Sequence, residues 1–355
     1  MDYRGRRERA LEALAEQELP ALLVTNPVHV RYLSGFAGEG YLLLAPEPVV
    51  CTDRRFEVEA REQAEGCRVS AGDRSHVQAL IAAAQEAGRR ATRARVGFEP
   101  ESLTWAQHGQ LAAALTAEAL VAAPGIVAEL RRRKDAEEIA LIARAAAIAD
   151  RALEALLEAL EPGRTERQLA WQFTQAVLEG GAEDVSFPPI IAGGPQGALP
   201  HATPTDRPLQ RGDAVVVDVG CRVEGYCSDI TRTVVVGEAP AEFGERYAAV
   251  ARAQAAGIAA LAAGRPAAEV DREAREVLEE AGMGEQFSHS LGHGVGLEIH
   301  EGPTLSRLST ATLEVGNVVT VEPGVYFEGW GGIRIEDLLV IEEGGARKLT
   351  AARKL

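Results

Sequence analysis

The chain has 355 residues, 46% of them hydrophobic and 25% charged, with a net charge of −16. This make-up belongs to a soluble globular protein of about two domains, and the apolar residues recurring throughout exclude a disordered chain. The acidic balance speaks against general binding to a nucleic-acid backbone, which needs clustered Lys and Arg.

No apolar run approaches the roughly 18–20 residues of a membrane span, so no membrane partner is expected. The charged start MDYRGRRERALEALAEQ carries no apolar signal core. Cys51, Cys67, Cys221 and Cys227 form no CxxC pair. A reduced, cytoplasmic protein without a disulfide framework is the expectation.

Residues 1–125 alternate helical and strand patterns. A helix near 5–17 precedes an apolar strand at Ala21–Thr25, and Asn26-Pro27 is read as its break. Tyr41–Leu44 and Val49–Thr52 read as a hairpin around Pro46 and Pro48. Helices are predicted near 54–65, 75–88 and 102–115, with strands near 67–70 and 95–98, which makes an α/β domain on a mixed sheet. The histidines there, His29, His76 and His108, stand apart from any cluster and are read as ordinary.

Pro124-Gly125 punctuates the chain. The segment from Ile126 to Leu160 reads as helical with a charged patch, Arg131–Glu138, at its start, and Glu161-Pro162-Gly163 stops it. We place a linker at 126–134 and a second domain at 135–355. That domain combines helices near 135–160, 166–180, 240–263 and 267–281 with strand pairs at 188–192, 214–236, 316–327 and 333–341, an α+β pattern.

Three segments of the second domain carry chemistry. In DAVVVDVGCRVEGYCSDITRTVVVG, Asp218 and Asp229 interrupt apolar strands. If Glu224-Gly225 is a two-residue turn, 223 faces 226 and 218 faces 231. Asp218 and Asp229 then share a face as diagonal neighbours, about 7 Å apart at the backbone. Two acids so placed require a shared proton, a basic partner or a divalent cation. Val215, Val217 and Val219 point the other way.

In SHSLGHGVGLEIHEGP, His289, His293 and His300 gather beside Gly292, Gly294 and Gly296, although the chain has only 7 histidines. No strand–turn–helix context supports a nucleotide loop, and no HExxH zinc motif is present. In VVTVEPGVYF, Glu322 ends an apolar strand; after the turn Glu328–Gly332, IRIEDLLVI places Glu336 inside another, with Arg334, Glu336 and Leu338 on one face. Buried acids need compensation. Four strand carboxylates with one glycine-flanked histidine suit two carboxylate-bridged divalent ions better than a lone zinc or a calcium loop. Cys221 and Cys227 flank the two aspartates but read as packed strand cysteines, and Asp337 points away from Glu336.

This order (Asp, Asp eleven residues on, His in GHGVGLEIHE, Glu in TVEPGVY, Glu in GIRIEDLLV) resembles the pita-bread metallopeptidases. Residues 1–125 resemble the creatinase-type amino domain of the aminopeptidase P and prolidase branch. The resemblance spans nearly the whole chain. It implies Asp218, Asp229, His293, Glu322 and Glu336 as ligands of two divalent ions, with Mn²⁺ preferred and Co²⁺ or Zn²⁺ as alternatives. It implies His201, in HATPTD, together with His289, His300 and Arg334 as substrate-binding residues. Glu322, His300 and His201 are the candidates for catalysis: Glu322 as the proton shuttle, the two histidines as oxyanion donors.

The implied reaction is cleavage after an N-terminal residue and before proline, whose tertiary amide and fixed ring a general peptidase handles poorly. An Xaa-Pro dipeptidase (prolidase) is favoured, with aminopeptidase P acting on longer peptides as the alternative and a non-catalytic peptide-binding protein as the remote one. Prolidases of this small type often have a basic residue directly after the proline of the HExP segment; here Thr304 follows Pro303, and Arg307 comes three further on. Phe187, Pro188 and Pro189 lie just upstream and offer a wall for the proline pocket, but a plain buried turn is the favoured reading. The resemblance also implies a homodimer.

Overall fold

A computed structural model describes residues 1–73, 75–89 and 95–355. The chain divides into two units, 1–131 and 132–355. In the first, the elements run α1 (Tyr3–Glu16), β1 (Leu22–Val24), α2 (Pro27–Ser34), β2 (Gly40–Leu44), β3 (Val49–Asp53), α3 (Glu57–Gln63), β4 (Arg68–Gly72), α4 (His76–Arg89), β5 (Val96–Phe98), α5 (Trp105–Leu115) and β6 (Leu120–Ala122), and α6 (Ile126–Arg132) ends it. The sheet order is β4-β3-β2-β1-β5-β6. β1–β2 and β2–β3 are antiparallel; β1–β5, β3–β4 and β5–β6 are parallel. This is the expected mixed sheet, and Leu23, Leu43, Cys51, Leu80 and Leu111 pack in its core.

Asn26-Pro27 does not merely break a strand; it starts a helix. The Asn26 side chain accepts the N–H of Val28, and Pro27 takes the first helical position, where its missing N–H costs nothing. His29, one turn in, meets the Glu99 carboxylate, which also accepts the N–H groups of Thr25 at 2.8 Å and Asn26 at 3.0 Å. This is a tie between helix and sheet.

The second unit holds α7 (Ala136–Glu158), α8 (Glu166–Glu179), β7 (Asp184–Val185), β8 (Ile190–Gly193), β9 (Ala214–Val219), β10 (Cys221–Val223), β11 (Tyr226–Cys227), β12 (Ile230–Val235), α9 (Phe243–Ala260), α10 (Ala267–Glu280), β13 (Gly292–Gly294), β14 (Glu301–Leu305), β15 (Val318–Val321), β16 (Gly324–Phe327), β17 (Gly331–Arg334), β18 (Asp337–Glu342) and β19 (Gly345–Lys348). The helix expected to run from Ile126 to Leu160 is two helices. α7 restarts at a capping box in which Asp135 accepts the N–H of Glu138 and the Glu138 carboxylate accepts that of Asp135.

Two helix-backed sheets carry the main cores of this unit, beside the smaller sheets β11-β10-β7 and β16-β17. Leu153 and Phe173 of α7 and α8 pack with Val215, Val217 and Val219 of β9, in the sheet β12-β9-β8. Val250 and Ala253 of α9 and Leu278 of α10 pack with Val319, Leu339 and Ile341, in the sheet β14-β13-β15-β18-β19. The helices cover the apolar faces, so the polar positions of the same strands turn the other way. The expected strand through Glu336 is interrupted: β17 pairs with β16, β18 pairs with β15, and Ile335-Glu336 form the break. There the Glu336 N–H leaves its own sheet and donates to Thr231 O at 3.1 Å. Among the described residues no helix is long and apolar enough to cross a membrane.

Candidate metal centre

The β9–β12 register places Thr231 opposite Asp218, and Val223 faces Tyr226 across the Glu224-Gly225 turn. Asp218 and Asp229 therefore project from the face opposite the valines. His293 lies on β13, a strand squeezed between β14 and β15. A Cβ at Gly292 would stand 2.0 Å from Thr320 O, and one at Gly294 2.3 Å from Gly302 O. The flanking glycines are what let this strand fit. Glu322 follows β15 directly, and Glu336 occupies the break before β18.

One cavity of about 640 Å³ is lined by Asp218, Asp229, His293, Glu322 and Glu336 together with His201, His289, His300 and Arg334. All nine residues singled out in the sequence thus meet around it. Phe187 and Pro188 line it as well, as does Thr304.

His293 Nδ1 lies 3.1 Å from the Gly294 carbonyl, which leaves Nε2 facing Glu322 Oε1 at 3.3 Å and Asp229 Oδ2 at 3.6 Å. Asp229, His293 and Glu336 offer ligand atoms all within 4.8 Å of one another. Asp218 Oδ1 and Asp229 Oδ1 are buried with no hydrogen-bond partner, a state that costs about 1–3 kcal/mol per group. Oxygen acceptors left open beside an imidazole nitrogen are the donor set of a divalent cation, and the residues present fit that group.

Arg334 partly balances the acids. Its Nη2 donates to Asp218 Oδ2 at 2.6 Å, Nε to Thr231 Oγ1 at 3.2 Å, and Nη1 to Tyr326 Oη at 2.6 Å and Pro200 O at 3.3 Å. The Thr231 hydroxyl donates to Glu336 Oε2 at 2.7 Å. Tyr326 Oη stands 3.0 Å from His289 Nε2, whose Nδ1 lies 2.8 Å from Ser290 O. A relay from Arg334 through Tyr326 to a neutral His289 satisfies every donor. Sequence reasoning missed Tyr326, Thr231 and Thr320, whose hydroxyl accepts the His293 N–H and donates to Glu322. Thr231 was within reach, because it faces Asp218 in the expected register.

Burial and the charges of Glu336, Asp218 and Glu322 push the Asp229 carboxyl up; burial and the charges of Glu322 and Asp218 do the same to Glu336. Burial would raise Glu322 too, but the His293 hydrogen bond and charge, with His289 and Arg334, hold it at about 2. Burial lowers His289 and His300. Burial also pushes the thiols of Cys221 and Cys227 up, to about 11 and about 12, the state of packed cysteines.

A raised carboxyl contributes stability that is complete below the ordinary carboxylate range and lost as pH rises through the raised value. In chelator-treated protein the stability that Asp229 and Glu336 contribute is therefore expected to fall as pH rises above the ordinary carboxylate range. Divalent metal, which binds the deprotonated carboxylates, is expected to raise Tm more at about pH 8 than at about pH 5. Scanning fluorimetry with and without Mn²⁺ checks this; a larger metal gain at the acid end contradicts it.

Four acids and an imidazole thus gather around one cavity, on strands backed by helices, a donor set that fits a divalent cation. Residues 140–343 match the model of metallopeptidase family M24, and residues 6–133 match the creatinase/prolidase N-terminal domain. A Pyrococcus furiosus protein named Xaa-Pro dipeptidase is 34% identical over 352 residues, covering 98% of each chain. The solved Xaa-Pro dipeptidase from Bacillus anthracis superposes with a TM-score of 0.95 at 35% identity, covering 100% of this chain and 99% of that one. The X-Pro aminopeptidase from Thermotoga maritima superposes with a TM-score of 0.89 at 33% identity, covering 98% of each. The chain belongs to metallopeptidase family M24.

Proposed function

We propose that this protein is a cytoplasmic Xaa-Pro dipeptidase that uses two divalent ions, Mn²⁺ foremost. The observation that carries the reading is the convergence of Asp218, Asp229, His293, Glu322 and Glu336 on one cavity with buried oxygens left open. These five side chains would hold the metals. When bound, the ions supply an activated water and Lewis-acid polarisation of the scissile carbonyl.

Glu322 takes a proton from the nucleophile and passes it to the leaving nitrogen. His300 and His201, both exposed at the cavity wall, donate to the oxyanion and orient the peptide. The proline ring packs against Phe187, Pro188 and Ile190 of the lining. Arg334 sets Asp218 and, through Tyr326, His289, so its substrate role is exerted through the residues it holds.

One observation favours a second reading, an Xaa-Pro aminopeptidase acting on longer peptides. Among the described residues lining the cavity, Arg334 is the only lysine or arginine, and its guanidinium is engaged with Asp218, Tyr326, Thr231 and Pro200. A dipeptide's carboxylate then has only histidines and hydroxyls to meet.

Metal-stripped protein given back Mn²⁺, Co²⁺ or Zn²⁺ and assayed on Leu-Pro and on an Xaa-Pro tripeptide separates the readings. Metal-dependent turnover higher on the dipeptide is expected. Turnover of the tripeptide alone supports the second reading, and no turnover with any metal contradicts both.

A further inference from the structure

His300 stands edge-on to His293 with ring centroids 4.3 Å apart. What fixes that spacing lies one residue further on. Glu301 turns its carboxylate inward: Oε1 lies 2.6 Å from Lys134 Nζ, and the two side chains are 8% and 1% exposed. Oε2 accepts the Glu298 N–H at 3.4 Å. Gly296 closes over this carboxylate, where a Cβ would stand 2.4 Å from Oε1. Its N–H donates to Glu298 O at 3.1 Å, and its carbonyl accepts the Cys227 N–H at 2.8 Å. The loop from Gly296 to Glu301 is folded around a buried anion, and Lys134 is a counter-charge to it.

Lys134 takes its own place from the segment leading into β15. Its N–H donates to Gly316 O at 2.8 Å. Its Nζ lies 3.4 Å from Arg132 O, which also accepts Asn317 Nδ2 at 3.0 Å. Asn317 directly precedes the strand that delivers Glu322. One lysine therefore references the loop of His300 to the strand of Glu322.

We infer that Lys134 is a positioning residue: acting through Glu301, it sets the distance of His300 from the acid cluster. The kinetic side of this inference rests on the peptidase reading; the geometric side does not. Removing the ammonium takes a counter-charge from a carboxylate that is held in a buried position, and the loop folded around that carboxylate is expected to shift.

The test uses the full-length, Mn²⁺-loaded protein carrying Lys134→Met, Lys134→Arg or Glu301→Gln. Lys134→Met is expected to keep its bound Mn²⁺ and its KM while kcat on an Xaa-Pro substrate falls about 10–100-fold, the cost of an ångström-scale misplacement. Lys134→Arg is expected to recover most of that loss. A crystal structure of Lys134→Met is expected to show the 296–301 loop displaced and the two imidazoles further apart. If Lys134→Met folds poorly, Glu301→Gln, which keeps the shape and removes the charge, is read the same way. A folded, metal-loaded variant with the parental kcat overturns the proposal, as does a loss of rate that only follows a loss of Mn²⁺, or an unmoved loop. Should the parent itself turn over no Xaa-Pro substrate, the peptidase reading falls and the position of the loop alone decides.

Discussion

Asp229→Asn and Glu336→Gln are each expected to lower kcat/KM by at least about 10³-fold, a loss of about 4 kcal/mol of transition-state stabilisation, while the fold survives. Both carboxyls are buried and held above their ordinary range by burial and by one another's neighbours. A neutral isostere at either position removes repulsion as well as a metal-binding oxygen. The metal-free variant should therefore melt no lower than the metal-free parent, whereas Mn²⁺ should no longer raise its Tm as it does the parent's. This opposition of signs separates a metal centre from a structural acid cluster, for which the same substitutions would leave turnover intact. Parental rates in either variant contradict the account.

Arg334→Met is expected to cost the metal-free protein about 3–5 kcal/mol, the penalty for stripping one member from a buried charge network. The guanidinium is buried and holds four groups at once, of which Asp218, at 2.6 Å, is the one left charged without it. Arg334→Lys keeps the charge but not the planar fork that reaches Asp218, Tyr326 and Thr231 together, so it should fall between parent and Arg334→Met. Mn²⁺ is expected to recover part of the loss, because a cation beside Asp218 takes over as counter-charge. Urea unfolding of chelator-treated protein, with and without added Mn²⁺, measures both effects. A loss below about 1 kcal/mol, the range of an exposed ion pair, contradicts this role.

The acid pair on β9 and β12 was legible because a two-residue turn fixes a register, and a register fixes which side chains share a face. Reading Glu224-Gly225 as that turn gives Val223 opposite Tyr226 and Asp218 opposite Thr231, as observed. Glu336 was harder. IRIEDLLVI alternates like a single strand, yet the chain changes partners at Ile335-Glu336. Pairing with two different strands leaves no trace in the alternation itself. The break matters, for it lets Glu336 be held by the backbone and hydroxyl of Thr231.

His293 was singled out by its neighbours rather than by any strand pattern. Glycine-flanked segments do not read as strands, and β13 fits between β14 and β15 only because Gly292 and Gly294 carry no Cβ. Tyr326 was overlooked because the Glu328–Gly332 turn is too long to fix a register from sequence. The structure pairs Tyr326 with Gly332 and Gly324 with Arg334, which makes Tyr326 and Arg334 diagonal neighbours. Lys134 lay in the expected linker, within the charged patch Arg131–Glu138; its partner Glu301 is distant in sequence, and nothing local marks the pair as buried.

Anomalous diffraction at the manganese edge from crystals of Mn²⁺-loaded protein tests the central claim most directly. The account predicts two peaks in the cavity, with oxygens of Asp218, Asp229, Glu322 and Glu336 and the imidazole of His293 within bonding distance of one or both. An empty cavity at saturating Mn²⁺, or ions bound only elsewhere on the protein, would contradict it.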